Sequence, residues 1–370
     1  MTTLVYHRTR PTAARDRLVL DLLAIAGEIG LNTSSVSEIV IGSDMIDAAG
    51  ATKIRIGMEP ITLSDSDGCV IRNRNAVPHQ HIVILPTRTL RKARDPDQGK
   101  AAAYRHKILH EFAHCHDLTA AMASPIGKEF DAASRPDRRS GAEAFRLSLV
   151  LMARAEYEAC RLTASFDSCL PDWDAFDTWS RFHSILEELT LLSPKECSEL
   201  FISFRTYELL YRWACVAGFG DGGRPPTYNL ELIDDLLEHM HLGRALAQFA
   251  DSLDSLHSGG YCRWQSMSVF NDALAAFKDV EMGLTISSLL GKHDQTKRSG
   301  TDASSARSEN RVNSPCGKRH CPGGAMALLG EDHFGFPAGL VHFRSQRRTG
   351  TCGRHVLSVG QGCRLLTHSP

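Results

Sequence analysis

The pattern with the clearest chemical meaning in this chain is ILHEFAHCHD, residues 108–117, which contains an H-E-x-x-H motif. Positions i and i+4 of a helix lie on one face, one turn apart, so His110 and His114 can direct ring nitrogens at a single metal ion. Zinc accepts neutral imidazole and is satisfied by a tetrahedral site with one position left for water. The spacing therefore predicts two ligands of a zinc site, which still needs a third.

Glu111 follows a predicted ligand directly, but it points about 100° away around the helix. It would therefore flank the metal, where its carboxylate can take a proton from water and pass it to a leaving amine. The alternative is a helix that is merely rich in histidine. The uncharged neighbours Leu109 and Phe112 favour a buried metal-binding helix instead. His116 points away from the two ligand positions and is predicted to be a surface or capping histidine rather than a ligand.

Three carboxylates are candidates for the third ligand. Asp117 lies on the same helical face as the two histidines, either as a ligand or as a partner that holds a ligand imidazole. Glu156 and Glu158 occur inside the otherwise apolar segment ARAEYEACRL, where an unpaired carboxylate is costly. They are about 200° apart around a helix, so only one of them can face the metal. Periodicity alone leaves the choice open.

The two segments HEFAH and EYEACRLTA together resemble the zinc peptidases that combine an H-E-x-x-H helix with a downstream glutamate helix. The chain is most similar to the ImmA/IrrE-type metallopeptidases of bacteria and their mobile elements, over about residues 15–168. The second helix of that family reads roughly E-x-E-A-(N/D)-x-x-A, and its first glutamate binds the metal. The resemblance therefore implies Glu156 as the third ligand. Cys160 departs from the family, which often has Asn or Asp there to hold a ligand histidine.

This resemblance implies a gluzincin-like zinc metallo-endopeptidase that acts on a protein or peptide substrate, such as a repressor. The expected cofactor is one Zn²⁺ held by His110, His114 and Glu156, and Glu111 is the expected catalytic base. The alternative is a non-catalytic regulator, or a DNA-binding protein, that retains the metal-binding scaffold. An additional donor to the oxyanion is usual in such enzymes; the candidates are Tyr104, His183 and Tyr211.

The composition divides the chain into three parts. Residues 1–168 mix helix and strand patterns and are predicted to form an α+β zincin-like domain, in which a small sheet packs on the H-E-x-x-H helix and the glutamate-bearing helix. Residues 171–291 repeat apolar positions every three to four residues and are predicted to form an all-helical recognition domain. Residues 292–370 contain 12 lysines and arginines against 5 aspartates and glutamates, and this polar, basic tail is predicted to be disordered.

Four β-branched runs in the first part are predicted to be strands: SEIVIG, TKIRIG, GCVIR and HIVILP. Zinc peptidases commonly bind an extended substrate along an exposed sheet edge. HIVILP could be that edge strand or an ordinary internal strand.

Residues 23–40 also resemble a helix-turn-helix that reads DNA. Two features disfavour this interpretation: the second helix would run into the strand IVIG, and the segment lacks basic residues for phosphate contacts. We expect a helix, a turn and then a strand.

The overall composition excludes some classes of function. A net charge of -1 and a pI near 7.0 give no field that would attract nucleic acid or an anionic membrane. The longest apolar runs are too short to span a bilayer, and nothing at the N-terminus has the pattern of a secretory signal. The 11 cysteines show no paired spacing, which favours reduced thiols in the cytoplasm. Cys316, His320 and Cys321 fit no usual zinc-finger spacing, so a second metal site is not expected.

Overall fold

The fold is known from a computed structural model, which describes residues 2–58, 67–76, 80–134, 141–166, 184–185, 199–223 and 242–286. The strands in these ranges are β1 (Thr3–His7), β2 (Val36–Gly42), β3 (Cys69–Asn73) and β4 (Gln80–Pro86). The helices are α1 (Ala13–Glu28), α2 (Met45–Arg55), α3 (Thr87–Lys92), α4 (Gln98–Ala123), α5 (Gly127–Ala133), α6 (Ala142–Thr163), α7 (Glu199–Asp221), α8 (Gly243–Gly259) and α9 (271–286). Short 3₁₀ turns follow α8 at Tyr261–Arg263 and Met267–Phe270. The predicted α+β class is confirmed.

The four strands form one sheet in the order β1-β2-β4-β3. Strand β2 is parallel to both β1 and β4, whereas β3 runs antiparallel to β4. HIVILP is therefore an internal strand, which agrees with its nearly continuous buried apolar run. Among the strands that the structure describes, β3 is the edge of the sheet on that side.

The sheet is covered on both faces. Apolar side chains of α1 and α4 form one core with alternate residues of β2 and β4, including Ile39, Ile41, Val83 and Leu85. The intervening residues Val40, Ile82 and Ile84 face α2 on the other side. The period-two alternation of a strand thus places α4 against one face of the sheet.

Two strand assignments differ from the sequence prediction. The segment TKIRIG lies at the end of α2 and beyond it, so its prediction as a strand is wrong. The helix begins because the Asp44 side chain accepts a hydrogen bond from the Asp47 amide at 2.9 Å, and Ala48 and Thr52 are buried at helical spacing. Strand β1 was not predicted, because its apolar run of three residues is too short to show a period.

Residues 23–40 contain the end of α1, a turn and most of β2. Gly30 occupies the turn with φ +88°, a conformation that favours glycine. The segment has no second helix, so it is not a helix-turn-helix.

The later helices share a second core with α5 and α6. Residues of α7, α8 and α9 pack against Leu149, Ala153 and Tyr157 of α6. The predicted boundary between the first two domains, near residues 168–171, and the predicted tail at 292–370 lie outside the described residues. Within the described ranges, no helix is both long and apolar enough to cross a membrane.

Gly218 of α7 and Gly222, which directly follows this helix, bring the chain very close to the end of α6. A Cβ atom at Gly218 would lie 2.3 Å from the carbonyl oxygen of Tyr157, and one at Gly222 would lie 2.5 Å from the Cβ of Ala164. Small residues at this spacing allow two helix backbones to come together. The contact holds the end of α7 against the turn of α6 that contains Tyr157, the residue after Glu156.

We predict that Gly218→Ala lowers the free energy of unfolding by about 1–3 kcal/mol, because the added methyl group must push α7 away from α6. Gly50→Ala is the matched control, since a Cβ at Gly50 within α2 meets nothing within 4 Å. This control should stabilise the protein by about 0.5–1 kcal/mol, the cost of glycine inside a helix. Urea unfolding of both variants measures the difference, and equal midpoints would contradict the close packing.

Candidate metal centre

His110, His114 and Glu156 come together where α4 crosses α6. The Nε2 atom of His110 lies 3.0 Å from Oε2 of Glu156, and Nε2 of His114 lies 3.4 Å from Oε1 of the same carboxylate. The candidate donor atoms of the three residues all lie within 4.8 Å of one another. One turn of α4 separates the two imidazoles, whose ring centroids are 4.5 Å apart. The group could hold a metal ion.

The three side chains of the cluster are buried, so a charge on any of them is stable only if an opposite charge lies close by. The Glu156 side chain is 0% exposed and that of His114 is 2% exposed. Burial alone would lower the pKa of His110, but hydrogen bonds with Cys160 and Glu156 outweigh it and raise the pKa well above its usual value. A buried carboxylate needs a compensating positive charge. Two imidazoles and one carboxylate around one point are also the ligand set of a catalytic zinc site, so the residues fit such an ion.

Glu111 lies beside the cluster, only 2% exposed, and it is packed against the loop that leads into β3. A Cβ atom at Gly68 would lie 3.0 Å from Cγ of Glu111 and 3.2 Å from its Oε1. Any larger residue at position 68 would require the Glu111 side chain to shift by a few tenths of an ångström. Burial raises the pKa of the Cys69 and Cys115 thiols, and the nearby negative charge of Glu111 raises it further. These thiols therefore stay protonated beside Glu111.

Cys160 supports one of the candidate ligands. It lies one turn after Glu156 on α6, and its Sγ is 4.0 Å from Nδ1 of His110. Burial would raise the pKa of Cys160, but hydrogen bonds with Cys215 and His110 lower it to about 7. Asp117 was predicted as the residue that could support a ligand imidazole, yet Cys160 contacts the ring.

Asp117 instead forms a buried ion pair with Arg154 of α6. The two guanidinium nitrogens donate to the two carboxylate oxygens at 3.1 and 2.5 Å, and both side chains are 0% exposed. The hydroxyl of Tyr261 also donates to Asp117. The guanidinium carbon lies 4.7 Å from the ring centroid of Trp264. Asp117 is thus directed at Arg154, and the metal cluster forms without it.

Glu158 faces the same ion pair, on the opposite side of α6 from Glu156. Its Oε1 lies 3.6 Å from Nη2 of Arg154, and its Oε2 lies 2.8 Å from Nδ1 of His257 on α8. Burial would raise the pKa of Glu158, but the hydrogen bond with His257 and the charge of Arg154 lower it. The two glutamates left open by periodicity therefore have different partners: Glu156 meets the two histidines of α4, and Glu158 meets Arg154 and His257.

Several other predictions concern the surroundings of the cluster. His116 takes no part in the cluster, as predicted; its Nδ1 accepts a hydrogen bond from the Asn32 amide at 2.7 Å and ties the turn after α1 to α4. Among the oxyanion candidates, the Tyr104 hydroxyl accepts from Lys92 at 2.6 Å. Tyr211 lies in the core with its ring 6.0 Å from that of Tyr207. His183 lies outside the described residues.

Sequence reasoning missed the roles of Arg154, His257, Tyr261 and Gly68. The sequence does carry one signal, the arginine two residues before Glu156 within an apolar helix, because a buried cation requires an anion nearby. Gly68 and Tyr261 gave no such signal, since each depends on which distant segment lies beside it.

No family model, no curated protein and no solved structure matches this chain.

The arrangement predicts different outcomes for the two neighbouring glutamates. Glu156→Gln should lose most of the bound zinc, because an amide is a poor ligand and supplies no negative charge. Glu158→Gln should keep near-stoichiometric zinc, because that side chain faces Arg154. Metal per chain, measured by mass spectrometry after dialysis against a weak chelator, distinguishes the two variants. Loss of zinc from Glu158→Gln alone would refute the assignment.

The Asp117–Arg154 pair predicts a stability effect at Tyr261. Tyr261→Phe removes one hydrogen bond to a buried carboxylate but keeps the ring, so it should cost about 1.5–3 kcal/mol of unfolding free energy. Tyr104→Phe removes a hydroxyl whose partner Lys92 is exposed, and it should cost less than about 1 kcal/mol. Urea unfolding of the metal-free variants gives both values; a neutral Tyr261→Phe would show that Asp117 needs only Arg154.

Proposed function

We propose that the protein is a zinc-dependent metallo-endopeptidase with a zincin-like fold. The observation that carries the proposal is the buried group of His110, His114 and Glu156, with the buried Glu111 next to His110 on the same helix. The resemblance of HEFAH and EYEACRLTA to the ImmA/IrrE-type metallopeptidases supports the same function. We propose that the cofactor is zinc because its ligand preference matches two imidazoles and a carboxylate.

When bound, zinc supplies a Lewis acid that activates water and polarises the carbonyl of the substrate. His110 and His114 would hold the ion through Nε2, and Glu156 would hold it through its carboxylate. Cys160 would restrain the His110 ring at Nδ1, which fixes the direction of the ligand nitrogen. The buried position of Glu156 would keep this carboxylate away from competing water.

Glu111 would act as the general base and then as the general acid. Its carboxylate would accept a proton from the attacking water and deliver it to the leaving amine when the peptide bond breaks. The packing of Gly68 against Glu111 restricts where this side chain can go, which favours the geometry needed for proton transfer. The two steps leave Glu111 in its starting, ionised state.

Strand β3 is suited to bind the substrate. Among the described strands it lies at the edge of the sheet, and it begins directly after Gly68, which packs against Glu111. An extended peptide could add to this edge through main-chain hydrogen bonds, as in other cases of strand addition. We propose a protein substrate in the cytoplasm, such as a repressor, by analogy with the resembled peptidases.

The function is tested with Glu111→Gln and with Glu129→Gln, an exposed glutamate on α5, as the matched control. Zinc-loaded wild-type protein should cleave members of a proteome-derived peptide library. Glu111→Gln should keep its zinc but lose activity by about 10²–10⁴-fold, the usual contribution of a general base. The control should behave like wild type.

Two outcomes would contradict the proposal. One is wild-type protein that takes up no zinc when it is refolded with the metal. The other is cleavage that Glu111→Gln leaves unchanged. Zinc binding without any cleavage would favour the alternative, a regulator that retains the metal-binding scaffold.

A further inference from the structure

Two thiols meet where α7 packs against α6. Cys160 of α6 and Cys215 of α7 are free cysteines, only 2% and 3% exposed, and a hydrogen bond joins them. The helix geometry explains the contact. A Cβ atom at Gly218 would lie 3.1 Å from the Cβ of Cys160, and Cys215 lies one turn before Gly218 on the same face of α7. The face of α7 that carries Cys215 is therefore the face that touches Cys160.

The close approach of the two helices keeps these sulfur atoms within reach of a covalent bond. The same Cβ atom at Gly218 would lie 2.3 Å from the carbonyl oxygen of Tyr157, so no side chain separates the two backbones at this point. A disulfide requires Cβ atoms about 3.5–4.5 Å apart, and side chains across such a contact approach that spacing. Joining the two sulfurs would therefore need side-chain rotation and only a small shift of α7.

One of the two thiols also touches a candidate metal ligand. Sγ of Cys160 lies 4.0 Å from Nδ1 of His110, whose Nε2 faces Glu156 at 3.0 Å. Partners of this kind orient a ligand imidazole, and their loss typically costs about 10–100-fold in metal affinity. His110 is also the most exposed of the three candidate ligands, at 7%. One sulfur atom thus connects the candidate metal centre to Cys215.

We infer that Cys160 and Cys215 form a site of reversible oxidation, at which peroxide joins the two sulfurs and weakens metal binding at His110. The inference rests on the proposed zinc centre and adds a means of regulating it. The two S–H bonds and the O–O bond of peroxide break, one S–S bond and two O–H bonds form, and two water molecules leave. The thiols lose two electrons, which peroxide gains. A dithiol reverses the step by thiol–disulfide exchange and itself becomes a disulfide.

The disulfide acts on the metal centre through the contact that Cys160 makes with His110. A disulfide sulfur carries neither a proton nor a charge, so it is a weaker partner for Nδ1 than a thiol. The new bond also directs Sγ of Cys160 towards α7 and away from the imidazole. His110 then loses the restraint that orients its ligand nitrogen. Disulfides of cytoplasmic proteins are usually of this transient kind.

The first test maps the thiols of the full-length protein after treatment with hydrogen peroxide. Digestion of wild type without reductant should release two peptides joined through Cys160 and Cys215, lighter by two hydrogen atoms than the separate peptides together. A dithiol should restore both thiols. Cys215→Ala should form no such link. Cys262→Ser is the matched control, which removes an exposed cysteine instead, and it should form the link as wild type does.

The second test measures zinc affinity, by competition with a chromophoric chelator. Oxidised wild type should bind zinc about tenfold or more weakly than reduced wild type, the usual effect of losing a partner of a ligand histidine. A dithiol should restore the affinity. Cys262→Ser should show the same loss, whereas Cys215→Ala should keep its affinity at peroxide concentrations that fully oxidise the wild-type pair.

A third measurement uses the reciprocity of the two equilibria. If the disulfide weakens zinc binding, bound zinc must disfavour the disulfide by the same factor. The protein is equilibrated with mixtures of reduced and oxidised glutathione, with and without saturating zinc, and alkylation of the remaining thiols gives the oxidised fraction. Zinc should raise the ratio of oxidised glutathione to the square of reduced glutathione at half-oxidation by about tenfold or more, matching the change in affinity.

The outcomes separate this regulation from the proposed function. Peroxide that leaves Cys160 and Cys215 as thiols, or joins either to a different cysteine, would overturn the inference and leave the zinc centre untouched. A Cys160–Cys215 disulfide without a change in zinc affinity would also overturn it, because the pair would then have no control over the metal. Reduced wild type that binds no zinc would contradict the proposed metal centre, and its regulation with it.

Discussion

The candidate metal centre depends on a buried ion pair that contains none of its ligands. Arg154 and Asp117 are both 0% exposed and are joined by two hydrogen bonds. A charge removed from water is stable only if its partner stays in place, and breaking one such pair typically costs about 3–5 kcal/mol. The pair therefore restrains α4 and α6 to one relative position along their length.

The ligands lie on these same two helices, close to the pair. Asp117 follows His114 by three residues, and Arg154 precedes Glu156 by two. Each helix is rigid over such a short distance, so a fixed Asp117–Arg154 contact also fixes where Glu156 meets the histidines. Glu158 and His257 extend the restraint to α8. One side of α6 therefore carries the Arg154 ion pair, which fixes the position of the helix, and the other side carries Glu156 of the candidate metal centre.

The sequence could predict the grouping of the two histidines because that grouping is local. His110, Glu111 and His114 belong to one helix, whose geometry determines their directions whatever the rest of the chain does. The choice between Glu156 and Glu158 is different, because it depends on which side of α6 faces α4. Periodicity could not decide it, since charged residues lie on both sides of that helix. The resemblance to a peptidase family named Glu156, and the structure places this residue beside the histidines.

The features that were missed depend on contacts between distant segments. TKIRIG has the composition of a strand, but the Asp44 cap and the burial of Ala48 make the segment before it a helix that continues through Arg55. HIVILP could not be assigned to an edge or to the interior until β3 was known to pair with it. Gly68 and Cys160 are ordinary residues in the sequence. Their importance comes from the carboxylate of Glu111 and the ring of His110, which the fold brings next to them.

Trp264 gives the buried pair an optical signature. Its indole is 1% exposed and lies against the guanidinium of Arg154, so its excited state senses that charge directly. A tryptophan beside a fixed cation emits differently from one in an apolar core or in water. The chain has four tryptophans, so the contribution of Trp264 to the emission must be separated from the other three before it reports, without an added label, on the position of Arg154. The protein carries an intrinsic fluorophore that is coupled, through Arg154, to the geometry of its candidate metal centre.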